Sequence, residues 1–399
     1  MERRKFVKLI AGASAVALCP PKGITLSSGA PLRGNPSGLG PKTKVFLAGV
    51  SKNAREDVVK QAVRCSAEAV TDFSWLSKGD AVFIKPVNNS ANPYPATTSP
   101  LAVAATVELL LEKGAGRVIV GDMSGVEYLR FSPTKLKGRS RKLMEASGMA
   151  EAVLASGAEL HCFEEAGWSA FHAEVPLAGS HWRHPVMMPD ILNDVQHIVL
   201  MPRCGRHAVA GSTLGLKAAV GYWRHDTRLE YHHDASTLHQ KTAEANTVET
   251  LRKKQRLVVT AADKILTTYG PDKGYILQPV NGLVIASESV VAHDMVSLAW
   301  LIESRLAIPE TEKNGFMDTS KLFASIANRV LVGWLGGWGE ALTSENLCKS
   351  ALNAIWDDPV LNHAYEVLGS IPEVVLESSN DSVPADLKNR LAEMTTFPH

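Results

Sequence analysis

From residue 53 onward the chain switches repeatedly between two hydrophobic rhythms. Asp57 to Val70 carries apolar side chains at helical spacing, and Ala81-Val82-Phe83-Ile84 is a short apolar run ending at Lys85-Pro86. Pro100 opens a strongly apolar helix through Leu101, Val107, Leu110 and Leu111, stopped by Gly114. Arg117-Val118-Ile119-Val120 follows as a strand that ends at Gly121-Asp122. Strand, loop, helix and strand in that order predict a βαβ unit, and so parallel strands joined by a right-handed crossover. The alternation continues with a helix near 140–156 and strands at about Glu159–Phe163 and His197–Met201. A polar helix over about Ala235–Lys254, strands at Leu257–Thr260 and Leu283–Ser287, and an apolar helix after Ala292-His293-Asp294 come next. From about 318 the chain reads as mostly helical, with Trp334, Trp338 and Trp356 as packing anchors. The pattern predicts an α/β fold: a mostly parallel sheet with flanking helices over 43–310, in one or two subdomains, and a helical C-terminal region over 311–399.

In open parallel sheets ligands bind beyond the carboxyl ends of the strands. Four loops, Lys85–Pro100, Gly121–Glu127, Pro202–Lys217 and Glu288–Asp294, each follow an expected strand and are therefore expected to converge on one cleft.

Composition narrows the partners. With 42 Lys and Arg against 41 Asp and Glu, the formal net charge is +1, so no basic excess argues for nucleic acid. The N-terminus MERRKFVKLIAGASAVALCP is similar to a twin-arginine export signal: Arg3-Arg4, then Phe6 and Lys8, then a weakly apolar stretch. That stretch is shorter than a membrane span of about 20 residues, so no stable span is expected after processing. Residues 1–19 read as the signal, with cleavage expected near Ala15-Val16-Ala17, and residues 20–42, rich in Pro, Gly and Ser, as a linker. The expected partner is the twin-arginine export machinery and the expected location periplasmic or extracytoplasmic. That route implies export in the folded state, often with a cofactor already inserted. The five cysteines form no CxxC pair, which excludes an iron–sulfur ferredoxin motif or a zinc ribbon and leaves one or two disulfides open.

Eight of 13 histidines (181, 184, 197, 207, 225, 232, 233 and 239) crowd around RCGRHAVAGSTLGLKAAVGYWRHDTRLEYHHD. Imidazole is the side chain best suited to proton exchange or metal binding near neutral pH. His207 lies in a loop after a strand and suits acid/base work. Gly211-Ser212-Thr213 is expected to start the helix carrying Lys217, whose apolar flanks Leu216 and Ala218–Val220 favour a lowered pKa and a nucleophilic or tethering role. Lys85, Asn89, Thr97 and Thr98 suit an anion held beside a helix start, and Asp122 at a strand end suits orienting a base or binding a cation. His181, His184, His232 and His233 offer zinc donors at spacings that match no standard motif. The absence of a GxSxG elbow and of a dinucleotide fingerprint argues against a serine hydrolase and a nicotinamide enzyme.

The blocks IKPVNN…ATTSP, VELLLEKGAGRVIVGDMSG, IVLMPRCGRHAVAGSTLGLKAAVG and VIASESVVAHDMVSLAW resemble, in order, those of the domain of unknown function 362 family, over about 45–305. The segment HAVAGSTLGLK with a later histidine is also similar to nickel-pincer lactate racemases. What that resemblance implies is His207 as acid/base, Lys217 as tether of a nicotinate-derived cofactor and His233 as metal ligand. Those racemases have a different substrate loop where this chain has Lys85–Pro100, and Asp122 or Ser124 lies where they place a further catalytic histidine. The combined expectation is an exported metal- or cofactor-dependent enzyme acting on a small anionic hydroxy or carboxylate molecule by acid/base chemistry, as an isomerase or oxidoreductase. The alternative is a non-catalytic binding protein or an accessory of cofactor or iron–sulfur maturation.

Overall fold

The computed structural model describes residues 39–317, 321–348 and 353–398. The expected export signal and most of the expected linker lie outside the described residues. The hydrophobic alternation sorts into two faces, as strand geometry requires. In β2 (Ala81–Pro86), Val82 and Ile84 face one core while Phe83 faces another. α1 (Glu56–Val70) and α2 (Pro100–Glu112) cover the first face. Ser99 caps α2 by accepting from the Ala102 amide at 3.3 Å.

The central sheet has eight strands: β1 (Leu39–Ser51), β2, β3 (Arg117–Asp122), β4 (Glu159–Cys162), β5 (His197–Met201), β6 (Gln255–Ala262), β7 (Asn281–Ser287) and β8 (Ile371–Ser378). Their spatial order is β8-β1-β7-β6-β5-β2-β3-β4. β7 is antiparallel to both neighbours and the other pairs are parallel, so the fold is the expected α/β type with a mostly parallel sheet.

Several local readings change. β1 begins at Leu39, inside the segment read as linker. The C-terminal region is largely helical, with α7 (Lys321–Gly336), α8 (Pro359–Val367) and α9 (Ala385–Thr395), but it also supplies edge strand β8. The helix expected near 140–156 is broken at Gly148, whose φ of +83° is left-handed. Trp356 packs edge-on against Phe397, whereas Trp338 is 58% exposed. Cys65, Cys162, Cys204 and Cys348 are all free thiols, so the disulfides left open do not form among them. Among the described residues no helix is long and apolar enough to cross a membrane.

The antiparallel β7 alters the expected cleft. β2, β3, β5 and β6 all end at one edge, but β7 ends at the other, so Glu288–Asp294 leaves from the wrong edge. The segment after β6 takes its place. Tyr94 donates to Asp263 at 2.7 Å, and Asn89 donates to the Asp272 carboxylate. Thr98 donates to the Met201 carbonyl at 2.7 Å, and the Asn88 amide donates to Asp122 at 2.6 Å. The loops after β2, β3, β5 and β6 are thus tied together.

Candidate functional site

The floor of the site is an ion pair. Lys85 Nζ lies 2.7 Å from Asp122 Oδ1, and both side chains are fully enclosed. The alternation that sends Ile84 to one core sends Lys85 to the other, where its ammonium lies 5.1 Å from the Tyr222 ring centroid. Lys85 also donates to the Pro86 carbonyl at 2.7 Å. Burial pulls its pKa down, and Asp122 opposes that. The residues expected to hold an anion are therefore occupied internally. Lys85 is paired with Asp122, the Thr97 hydroxyl donates to the Asn92 carbonyl, and Thr98 accepts from the Val87 amide as well as binding Met201. Gly221 closes over the pair, and a methyl group there would run into both Asp122 Oδ1 and Lys85 Nζ. Gly221→Ala will lower the melting temperature by several degrees, measured by circular dichroism, because the buried pair must separate to admit it.

Above this floor, the chain turns back over the sheet. Gly205–His207 and Gly211–Thr213 form a tight antiparallel hairpin, closed by Gly211 at φ +85°. The expected helix start at Gly211 is thus a strand, and the helix carrying Lys217, α3 (Gly215–Ala218), begins later. Asp294 from α6 (Val290–Glu303) fixes that start: its carboxylate accepts from the Gly215 and Leu216 amides, each at 2.7 Å. A Cβ on Gly215 would approach Asp294 Oδ1 to 2.7 Å, so glycine is needed for this contact. Asn246 holds the other side through the Leu216 carbonyl at 3.0 Å.

Lys217 projects from this clamped turn with no carboxylate in ion-pair range among the described residues; its amine lies 5.8 Å from the Tyr231 ring centroid. Burial, reinforced by the charges of Arg228, Arg203 and Lys85, brings its pKa down to about 7. His207 Nδ1 accepts from the Val209 and Ala210 amides, both at 3.2 Å, so the neutral ring carries its proton on Nε2. The ring is enclosed although the residue keeps some exposure, and burial followed by the Lys217 charge holds its pKa well below the ordinary value. In this arrangement His207 offers a hydrogen-bond donor; it accepts a proton only if the turn releases Nδ1.

The histidine brought toward this pair is His232, not His233. Both lie on α4 (His225–His233), where consecutive residues point about 100° apart. His233 turns away, with Nδ1 2.8 Å from Asp234 and Nε2 3.2 Å from Thr343. His232 is buried, close enough to feel the Lys217 charge and to act on His207, and held near a pKa of about 3 chiefly by burial. Its Nδ1 lies 2.7 Å from Asn328 Oδ1, while the Asn328 amide nitrogen donates to the His232 carbonyl at 2.7 Å. Asn328 thus fixes the Nδ1–H tautomer and leaves Nε2 as a bare lone pair.

The sequence pattern did not single out Arg203, Arg228, Asp294 or Asn328, and it offered His232 only as one of several zinc donors. Arg203 is 1% exposed and donates to the Pro95 carbonyl and the Thr213 hydroxyl, with no partner for Nε. Arg228 is bonded entirely to carbonyls, those of Trp223, Ser124, Met123 and Gly221. Burial lowers both guanidinium pKa values to about 10, so both stay charged at neutral pH. An arginine directly after an apolar strand, as Arg203 is, was the one available signal. Among the described residues, the buried cations Lys85, Arg203 and Arg228 around Lys217 have one carboxylate in salt-bridge contact, Asp122 on Lys85, while Asp272 acts on Arg203 and Glu164 on Arg228 from farther away.

Among curated proteins none matches the sequence. A solved structure similar to this one is the lactate racemase apoprotein from Thermoanaerobacterium thermosaccharolyticum, at 10% identity and TM-score 0.34, covering 85% of this chain and 84% of that one. Similarity at that level carries no chemistry from one protein to the other. The sequence model of the domain of unknown function family DUF362 matches residues 82–299, from β2 through the Lys217 turn to α6, and with more than half of its length matched the chain belongs to that family.

Proposed function

We propose that this protein is an exported enzyme that uses a bound metal cofactor to act on a small hydroxy or carboxylate anion, with Lys217 at the centre of its site. The observation that carries this reading is the Lys217 amine, poised near pH 7 beside the charges of Arg228, Arg203 and Lys85, with no carboxylate in ion-pair range of it among the described residues. Cations grouped in this way favour an anion, because a negative group placed beside the Lys217 amine meets no carboxylate already paired with it.

The donor set fits a metal held together with an organic group. His232 has its Nδ1 fixed by Asn328 and its Nε2 unengaged, which is how ligating histidines are oriented. Lys217 supplies an amine that is uncharged for about half the time at pH 7, able to bond covalently to the organic part. When bound, the cofactor would supply electron-accepting chemistry at the substrate carbon. His207 Nε2–H donates a hydrogen bond to a substrate oxygen, and the spare Nε donor of Arg203 binds a carboxylate. Asp294 and Asn246 keep Lys217 in place, while the Lys85–Asp122 pair underlies the turn.

Protein purified from its native host tests this by intact mass and metal analysis, with N-terminal sequencing to locate processing. The expected result is a mature chain carrying added mass on Lys217 and one equivalent of metal that accompanies it, both lost in Lys217→Met, with that equivalent alone reduced at least tenfold in His232→Ala. A bare processed chain without metal overturns the cofactor assignment.

A further inference from the structure

A separate cluster of donors lies outside this site. His181 belongs to the loop before the short strand Val186–Pro189, Glu244 ends α5 (Leu238–Glu244), and His363 lies in α8. His181 Nδ1 is 2.5 Å and His363 Nε2 3.0 Å from the same oxygen, Glu244 Oε1. The two rings meet edge to face at 5.3 Å between centroids, and one donor atom from each of the three residues lies within 4.8 Å of the others. We propose that His181, Glu244 and His363 form a binding site for a divalent transition metal of the zinc type, which clips α8 to α5 and to the 175–185 loop.

Two features go beyond proximity. Glu244 is pinned by the backbone, its carboxylate accepting from the Ser180 amide at 3.1 Å and the His181 amide at 3.0 Å. His363 has a carboxylate behind it, with Nδ1 2.9 Å from Glu366 Oε2, which leaves Nε2 directed at the shared centre. A backing carboxylate of this kind fixes the ring and raises the basicity of a metal-bound histidine. Two imidazole nitrogens and one carboxylate oxygen, with no thiol, suit zinc and its neighbours rather than calcium or magnesium. Donors at about 2.0–2.2 Å from one ion lie roughly 3–3.5 Å apart, so binding requires His181 and Glu244 to part by about an ångström. His181 retains 34% side-chain exposure, which opens the site to entry of the ion and to a water as fourth ligand. Glu244 is buried at 1% exposure and supplies the fixed negative charge.

Chelator-treated full-length protein, dialysed against Zn2+ and analysed for metal, provides the test. The expected result is one bound Zn2+ and a raised melting temperature, with affinity at least tenfold weaker in His363→Ala and in His181→Ala. Lys217→Met and His232→Ala are expected to retain that ion, which separates this site from the one proposed above. Co2+ in the parent protein should give visible d–d bands without a thiolate charge-transfer band, a readout that needs no variant to fold. Equal Zn2+ content and equal melting in the parent and both triad variants overturn the proposal, as does loss of the ion only in His232→Ala.

Discussion

Lys217→Met will make the protein more stable, and most so below pH 7. A lysine in an unfolded chain titrates near 10.4, whereas burial and the neighbouring cations hold Lys217 at about 7. Between those values the unfolded chain binds a proton that the native state does not, so the native state gains stability as pH rises through that window. Below about 7 both states are protonated and the full cost of the buried ammonium is present. Methionine has similar length and no charge, so the variant escapes that cost. The melting-temperature difference between variant and parent should be largest near pH 6 and should shrink steadily toward about pH 10. The same depressed pKa makes Lys217 reactive. A trinitrophenyl or similar amine reagent, mapped by mass spectrometry near neutral pH, should label it ahead of exposed lysines. Stabilisation that does not vary with pH would show that Lys217 binds its proton equally well in the folded and unfolded chain.

The opposite result is expected at the floor of the site. Asp122→Ala should destabilise the protein by about 3–5 kcal/mol, because it strands the Lys85 ammonium, fully buried and already near Arg228. The substitution also removes the acceptor for the Asn88 amide, an unmade buried hydrogen bond worth roughly 1–3 kcal/mol within that total. Combining Lys85→Met with Asp122→Asn should recover most of the loss, since it eliminates the stranded charge while asparagine still accepts from Asn88. Urea unfolding of parent, single and double variants measures both effects. A double variant no better than Asp122→Ala would mean that the pair matters through shape rather than charge.

The strands β2, β3, β5 and β6 and the helices α2 and α6 were legible because each is strongly apolar and bounded by Gly, Pro or charged residues, and α1 because its apolar residues recur at helical spacing. Less legible were segments whose conformation depends on distant partners. Gly211–Thr213 has the polar, small-residue look of a helix start, yet cross-strand bonds to Gly205–His207 make it a strand. Residues 39–42 resemble linker, but pairing with β8 some 330 positions later makes them sheet. Periodicity describes a face, and it does not say what will cover that face.

The candidate site divides in the same way. Local hydrophobicity marks the ends of β2, β3 and β5, and so it places Lys85 and Asp122 at strand ends and His207 and Lys217 beyond one. What each can do is set by the packing around it. It spends Lys85 on Asp122, turns His207 into a donor by engaging Nδ1, and selects His232 over His233 by the 100° step of a helix and the placement of Asn328. It also reverses β7 and brings Asp294 to the Lys217 turn across the sheet face. Local patterning sets which elements form; burial, long-range pairing and the company of other charges set protonation states and free lone pairs, and those are the quantities on which chemistry depends.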